Sequence, residues 1–228
     1  RIVVIGGGFV GSEIAAGLVG HGCRVTMVFP EPMLGARAYP ADLCRFIENY
    51  YRDRGIDVRT GRMVKDGTQE GNTVRLALDD GSALEADAVV AGLGIIPETT
   101  LAEAAGAQVN NGIVVDECMR TTVFDLFAAG RIAGLAMAGK PEPYAGLPFF
   151  YSDLFDLGYE AVGTLDSRLE IFEDWVEPHR EGVLYYLDQG RVRGVLLWNT
   201  WGRIDAARAL IHEAGPHSAS TLRGRIRG

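Results

Sequence analysis

Cysteine is scarce: Cys23, Cys44 and Cys118 are odd in number, far apart, and form no CxxC or CxxxxC pair. Neither a disulfide framework nor a dithiol redox centre is suggested, and all three read as small packing residues. No stretch approaches the about 18 consecutive apolar residues of a spanning helix. The N-terminus lacks the charged, apolar and small-residue parts of a signal peptide, so the expected compartment is cytoplasmic. Basic runs are also missing. With a net charge of −8 and nothing more basic than the Arg-rich tail near Arg223, the chain carries no electrostatic footprint for nucleic acid. That tail is expected to fray. No internal repeat or low-complexity segment is visible.

What is present is a soluble, mixed composition over 228 residues, which favours two modest domains. Ile2 to Ile5 is a continuous β-branched run that stops on glycines, as a strand buried on both faces of a parallel sheet should. Val10, Ile14, Ala15 and Leu18 recur at helical spacing from Phe9 to Val19, and Gly20 to Gly22 supply the stop. A strand over Arg24 to Phe29, a helix over Pro40 to Arg54 and a strand over Ile56 to Arg59 complete a βαβαβ unit. Val74 to Leu78 and Leu84 to Glu85 flank Asp79-Asp80-Gly81, a hairpin signal, and Ala88 to Ala91 is a further buried strand.

After Pro97 come a small helix near Leu101, an extended Ile113 to Asp116, and an apolar strand Leu126 to Ala129 stopping on Gly130. Glycine and proline cluster over Gly139 to Pro148, where a boundary is expected. Beyond it, Leu169 to Trp175, Gly182 to Leu187 and Val192 to Trp198 read as strands and Ile204 to His212 as a closing helix, a small α+β domain.

The turn Gly6-Gly7-Gly8-Phe9-Val10-Gly11 sits between the first strand and the first helix, the context that gives GxGxxG its meaning. Gly6 allows the tight turn, Gly8 lets the backbone approach a pyrophosphate, and Gly11 lets the helix pack on the sheet. The pyrophosphate would rest on the helix N-terminus, where unpaired N–H groups favour an anion. Glu31, about 20 residues on, ends the second strand, where an acid hydrogen-bonds the adenosine ribose and repels a 2′-phosphate. NAD is therefore favoured over NADP, although Arg37 in the next loop is either a phosphate partner or a solvated loop charge. Glu13 is either a macrodipole partner or a functional carboxylate. Phe9 is either packing or a cover for the nicotinamide pocket.

GGGFVGSEIAAGL from Gly6, VFPEP from Val28 with YPADL after it, and GLGIIPE from Gly92 resemble the pyridine-nucleotide flavoprotein reductases. PFFYSDLFDLGYEAVG from Pro148 and GVLLWNTWGRIDAAR from Gly194 narrow the resemblance to the group similar to apoptosis-inducing factor and its bacterial ferredoxin-reductase-like relatives. The resemblance implies an α/β fold: a Rossmann-type NAD(P)-binding domain over residues 1–100, a returning remnant of a split FAD domain over 101–140, and a small α+β C-terminal interface domain over 141–228. It implies that Phe9 and Glu13 lie along the nicotinamide ribose and ring, that Glu31 and Arg37 hold the adenosine end, and that Gly94 lines the same cleft. Tyr151 would approach the flavin ring from the C-terminal domain.

Two departures accompany the matches. The family's own flavin-binding turn has no counterpart ahead of residue 1, and Gly130 is followed by Arg131-Ile132-Ala133-Gly134-Leu135. An aspartate and a covering helix, roughly two dozen residues, are expected at that point. The chain is thus either part of a larger flavoprotein or a flavin-less remnant. The resemblance implies an FAD-dependent NAD(P)H oxidoreductase with NAD and FAD as cofactors. Glu13 would orient the nicotinamide, Phe9 gate it and Tyr151 shield the flavin. Electrons would pass to an external acceptor, a ferredoxin- or rubredoxin-type protein, a quinone or dioxygen, and a homodimer stays open. The competing reading is a non-catalytic NAD-binding module that assembles with partners.

Overall fold

The computed structural model describes residues 1–128, 137–140, 143–144 and 146–227. The β-branched run at the N-terminus forms β1 (Ile2–Ile5), flanked in parallel by β2 (Val25–Phe29) and β7 (Ala88–Ala91), with β3 (Asp57–Thr60) outside β2. The helices α1 (Phe9–Gly20) and α2 (Ala41–Asp53) connect these parallel strands. Strand alternation separates two apolar faces. Val4, Val25, Met27 and Phe29 join the core on the helical side. Val3 and Val28 join Leu76, Leu78, Leu84 and Ala86 on the other.

That second cluster is supplied by an antiparallel sheet of β4 (Val64–Glu70), β5 (Thr73–Leu78) and β6 (Ala83–Ala86). The β5–β6 hairpin was expected and β4 was not. Beyond Val64, β4 reads Lys-Asp-Gly-Thr-Gln-Glu and is exposed throughout. It carries no apolar alternation, and only its pairing with β5 makes it a strand.

The C-terminal segment forms a five-stranded antiparallel sheet, ordered β10-β11-β12-β9-β8. Its strands are β8 (Phe149–Leu154), β9 (Leu157–Gly163), β10 (Glu170–Glu177), β11 (Glu181–Asp188) and β12 (Arg191–Trp198). The helix expected over Ile204 to His212 is present with those bounds and packs on β12 and β9. The β8–β9 hairpin was not read as strands, because its tight turn uses Phe155 with a φ of 63° instead of glycine or asparagine.

The expectation that the Arg-rich tail frays is wrong. Leu222, the last residue of a short helix over Ala219–Leu222, is buried, and so is Ile226 beyond it. Asp174 on β10 is buried, its carboxylate is ion-paired with Arg227, and it accepts the Gly224 N–H at 2.7 Å. A carboxylate out of water needs such a partner. Arg225 reaches Glu213 at 2.7 Å.

The nucleotide-type domain and the C-terminal sheet share one core, in which Tyr39, Tyr51 and Leu43 pack with Tyr159, Tyr186 and Trp198. Polar ties cross it as well: the Tyr186 hydroxyl donates to Ala38 O at 2.8 Å and Ser167 Oγ to Ala36 O at 2.7 Å. Arg1–Gly94 and Pro148–Gly228 accordingly form one compact unit and Ile95–Leu147 a second.

Within the second unit, α3 (Thr100–Ala104) is the helix expected near Leu101. The extended stretch Ile113 to Asp116 gives only the isolated bridges Val109–Ile113 and Val115–Thr121. In place of the strand expected over Leu126 to Ala129, Phe127 bridges Arg120. Ala129, Gly130 and Arg131 to Leu135 lie outside the described residues. The Asp116 carboxylate instead organises a turn, accepting the Cys118 and Arg120 N–H groups at 2.9 Å each. All three cysteines are free, Cys44 and Cys118 buried and Cys23 partly so.

Candidate functional site

The turn from β1 into α1 is held by close backbone approaches. Gly6 has a φ of 123°, and a Cβ there would lie 2.3 Å from Gly92 O. A Cβ on Gly11 would lie 2.2 Å from Gly6 O. These two glycines serve the chain's own packing. Gly8 differs, because nothing lies within 4 Å of its Cβ position. It caps α1, its carbonyl accepting the Ser12 N–H at 3.0 Å and Ser12 Oγ at 2.9 Å. Val10, in the first turn, is 60% exposed. Glycine at 8 is therefore not demanded by any neighbouring protein atom, and the open side of the turn fits the approach of an anionic group to helix N–H donors.

Glu31 follows the end of β2 at the same carboxyl edge of the sheet, its carbonyl accepting the Gly61 N–H at 3.0 Å. Its carboxylate is ion-paired with Arg37 Nη2 at 2.6 Å. The two residues assigned to an adenosine end are thus brought together. Gly94 lies just beyond β7, exposed, with a φ of 91°. A cavity of about 310 Å³ lined by Ile2, Val25, Thr26 and Asp57 opens at the amino ends of the strands, the edge opposite the turn.

Phe9 and Glu13 are one helical turn apart on α1 and meet two alternate residues of β8. The Phe9 ring lies 4.9 Å from that of Phe150, and Ser152 Oγ lies 3.2 Å from Glu13 Oε2. Tyr39 and Tyr159 surround Phe9 at 6.1 and 6.2 Å, and Trp198 stacks on Tyr159 at 5.7 Å. Burial raises the Tyr159 hydroxyl to about 12 and pushes that of Tyr39 up as well, so both are neutral. Tyr151 lies between Phe150 and Ser152 and therefore faces the other side of β8, 65% exposed beside Phe149. The structure does not bring it to Phe9 or Glu13.

A family model described as pyridine nucleotide-disulphide oxidoreductase matches residues 1–146. The chain belongs to that family. Among the relatives of this family member, apoptosis-inducing factor 1 of Dictyostelium discoideum is 30% identical, over 92% of this chain and 48% of its own length. Monodehydroascorbate reductase 3 of Arabidopsis thaliana is 32% identical, over 86% of this chain and 53% of its own. The solved putidaredoxin reductase, in its covalent complex with putidaredoxin, superposes with a TM-score of 0.80 at 28% identity, covering 92% of this chain and 58% of that one. The chain therefore spans about half the length of these curated relatives. The alignment with the Dictyostelium protein runs over 258 positions, more than the 228 residues here, so that relative carries residues with no counterpart in this chain. The α/β fold of this family, with its parallel and antiparallel sheets, is the one the sequence implied. Among the described residues, no helix is long and apolar enough to cross a membrane.

Ser152, Phe150 and Tyr39 escaped the sequence reading. Ser152 and Phe150 stand in the PFFYSDL stretch, but their contacts with Glu13 and Phe9 cross about 140 residues of sequence, and no local pattern encodes them.

Proposed function

We propose that this chain is the NAD-binding and C-terminal part of an FAD-dependent NAD(P)H oxidoreductase. The observation that carries the reading is the open Gly8 position within a turn that Gly6, Gly11 and Gly92 otherwise close tightly. The chemistry of the paired cofactors is hydride transfer from nicotinamide C4 to flavin N5, for which the protein supplies positioning. The Gly6–Gly11 turn would take the pyrophosphate on the N-terminus of α1, and Glu31 would accept hydrogen bonds from the adenosine ribose. Glu13, tethered by Ser152, would orient the nicotinamide. Phe9, backed by Phe150, Tyr39 and Tyr159, would form an apolar wall that excludes water from it. Tyr151, exposed on the other side of β8, is proposed as the aromatic that meets the flavin.

NAD is the preferred nucleotide in this reading, because the Glu31 carboxylate would repel a 2′-phosphate and its ion pair already engages Arg37. The names of the relatives divide between a protein acceptor, putidaredoxin, and a small one, monodehydroascorbate. A ferredoxin-type protein is the acceptor proposed, after the putidaredoxin complex of the solved neighbour.

The test uses the product of the complete gene. A yellow protein bleached by NADH is expected. A colourless protein whose melting temperature rises with NAD would instead support the non-catalytic module, since a ligand bound only by the folded state raises that temperature. Loss of both responses would overturn the nucleotide site itself.

A further inference from the structure

Asp42 in the first turn of α2, Glu173 on β10 and His179 in the β10–β11 turn converge on a seam that the dinucleotide turn does not use. One ligand atom from each lies within 4.8 Å of the others. We propose that these three side chains bind one divalent transition ion of the zinc class, completed by water.

One separation within the cluster has the length that coordination requires. His179 Nε2 and Asp42 Oδ2 are 3.4 Å apart, beyond the roughly 2.7–3.2 Å of a good N–H···O bond. That separation is about the edge of a tetrahedron whose ligands stand about 2.0–2.1 Å from its centre. One imidazole with two carboxylates is a donor set suited to Zn²⁺ or, more weakly, Mn²⁺.

The donors are also held in place, as metal ligands are. Trp175 Nε1 donates to Glu173 Oε2 at 2.8 Å, leaving the other oxygen available. The His179 ring lies between Phe46 and Trp175, at 5.3 and 5.4 Å. Its carbonyl accepts Trp198 Nε1 at 3.0 Å, and Arg180 O accepts Asn199 Nδ2 at 2.9 Å, which fixes the turn with His179 at a φ of 60°.

Among the described residues neither carboxylate has a Lys or Arg ion pair, and the neighbouring Arg180 turns to Asp156 at 3.6 Å and lies over Tyr50 at 5.1 Å. A dication would neutralise both acids and clip α2 to the C-terminal sheet.

The test is calorimetric titration of the chelator-stripped 228-residue chain with zinc chloride, manganese chloride being run in parallel. One equivalent of zinc should bind, more tightly than manganese, and saturating zinc should raise the melting temperature. Asp42→Asn and His179→Asn should each weaken zinc at least tenfold and abolish that rise, with an unchanged circular dichroism spectrum. Asparagine is chosen at 179 because it tolerates positive φ. Should either variant unfold, Glu173→Gln is read in the same titration. The proposal is overturned if no zinc binds, or if folded variants retain full affinity, which would assign the ion to His21, His212, His217 or a free cysteine.

Discussion

Glu13 and Ser152 are 139 residues apart in the chain and hydrogen-bonded in the fold, with Ser152 Oγ 3.2 Å from Glu13 Oε2. Ser152 is 1% exposed, so its hydroxyl has little water to turn to, and the bond constrains the one carboxylate of α1. The C-terminal sheet thereby acts on the nucleotide-binding domain through a defined polar contact as well as through shared apolar core. If Glu13 orients the nicotinamide, Ser152→Ala should weaken NAD binding roughly three- to tenfold, the worth of about 1 kcal/mol for one hydrogen bond. Isothermal titration would measure it, and an unchanged affinity would remove Ser152 from the positioning role.

The glycines of the turn separate folding from binding. Gly8→Val adds a side chain where no protein atom lies within 4 Å, so the urea midpoint should move little while NAD affinity falls by more than tenfold. Gly11→Ala places a Cβ 2.2 Å from a backbone oxygen and should cost stability, about 1–3 kcal/mol for an overpacked site. Equal NAD affinity of wild type and Gly8→Val would mean that the turn is not the nucleotide site.

Nucleotide preference should respond to the Glu31–Arg37 pair. Glu31→Ala releases Arg37 from its 2.6 Å partner and removes the charge facing a 2′-phosphate, so the ratio of NADP to NAD affinity should rise at least tenfold. Arg37→Ala added to Glu31→Ala should cancel most of that rise. A ratio indifferent to both substitutions would place the adenosine ribose elsewhere.

The docked tail is a stability element. Arg227→Ala strands the carboxylate of Asp174, which is 2% exposed, and breaking a buried pair on one side costs about 3–5 kcal/mol. The loss should appear as a lower urea midpoint. Arg223→Ala, whose guanidinium only covers the Phe172 ring at 5.7 Å, should cost about 1 kcal/mol or less. Similar midpoints for the two variants would contradict the buried pair.

Alkaline pH should unfold the shared core. Burial raises the hydroxyls of Tyr39, Tyr51, Tyr159 and Tyr186, with Tyr159 and Tyr185 at about 12. A group whose folded pKa is raised stabilises fully below its unfolded value, about 10 for tyrosine, and that contribution is lost as pH rises through the folded value. The tyrosine contribution to stability should therefore be constant below about pH 10 and fall progressively above it. Tyrosinate absorbance should appear together with loss of near-ultraviolet circular dichroism. Ionisation that precedes unfolding would show these hydroxyls to be open to water.

Much of this architecture is legible in local pattern. The β-branched run before Gly6, the helical spacing of Val10, Ile14 and Leu18, and the bounds Ile204 to His212 follow from periodicity and punctuation, which are properties of neighbouring residues. Where elements were missed, the stabilising partner is remote. β4 has the composition of a loop and is ordered by β5. The arginines of the tail resemble a solvated end, yet Arg227 satisfies a buried carboxylate on β10. Phe150 and Ser152 of the PFFYSDL stretch were likewise not singled out, because their partners Phe9 and Glu13 lie on α1, far away in the chain.

The sequence alone determined that a glycine turn joins a buried strand to a helix, with an acid at the end of the next strand, because the conformational demands of such a turn fall on residues adjacent in the chain. Only the tertiary structure decided that Gly8 faces open space while Gly6 and Gly11 face backbone, that Arg37 pairs with Glu31, and that Ser152 holds Glu13. Those outcomes depend on which surfaces of the two sheets share a core. Shared burial acts between residues that the chain keeps far apart.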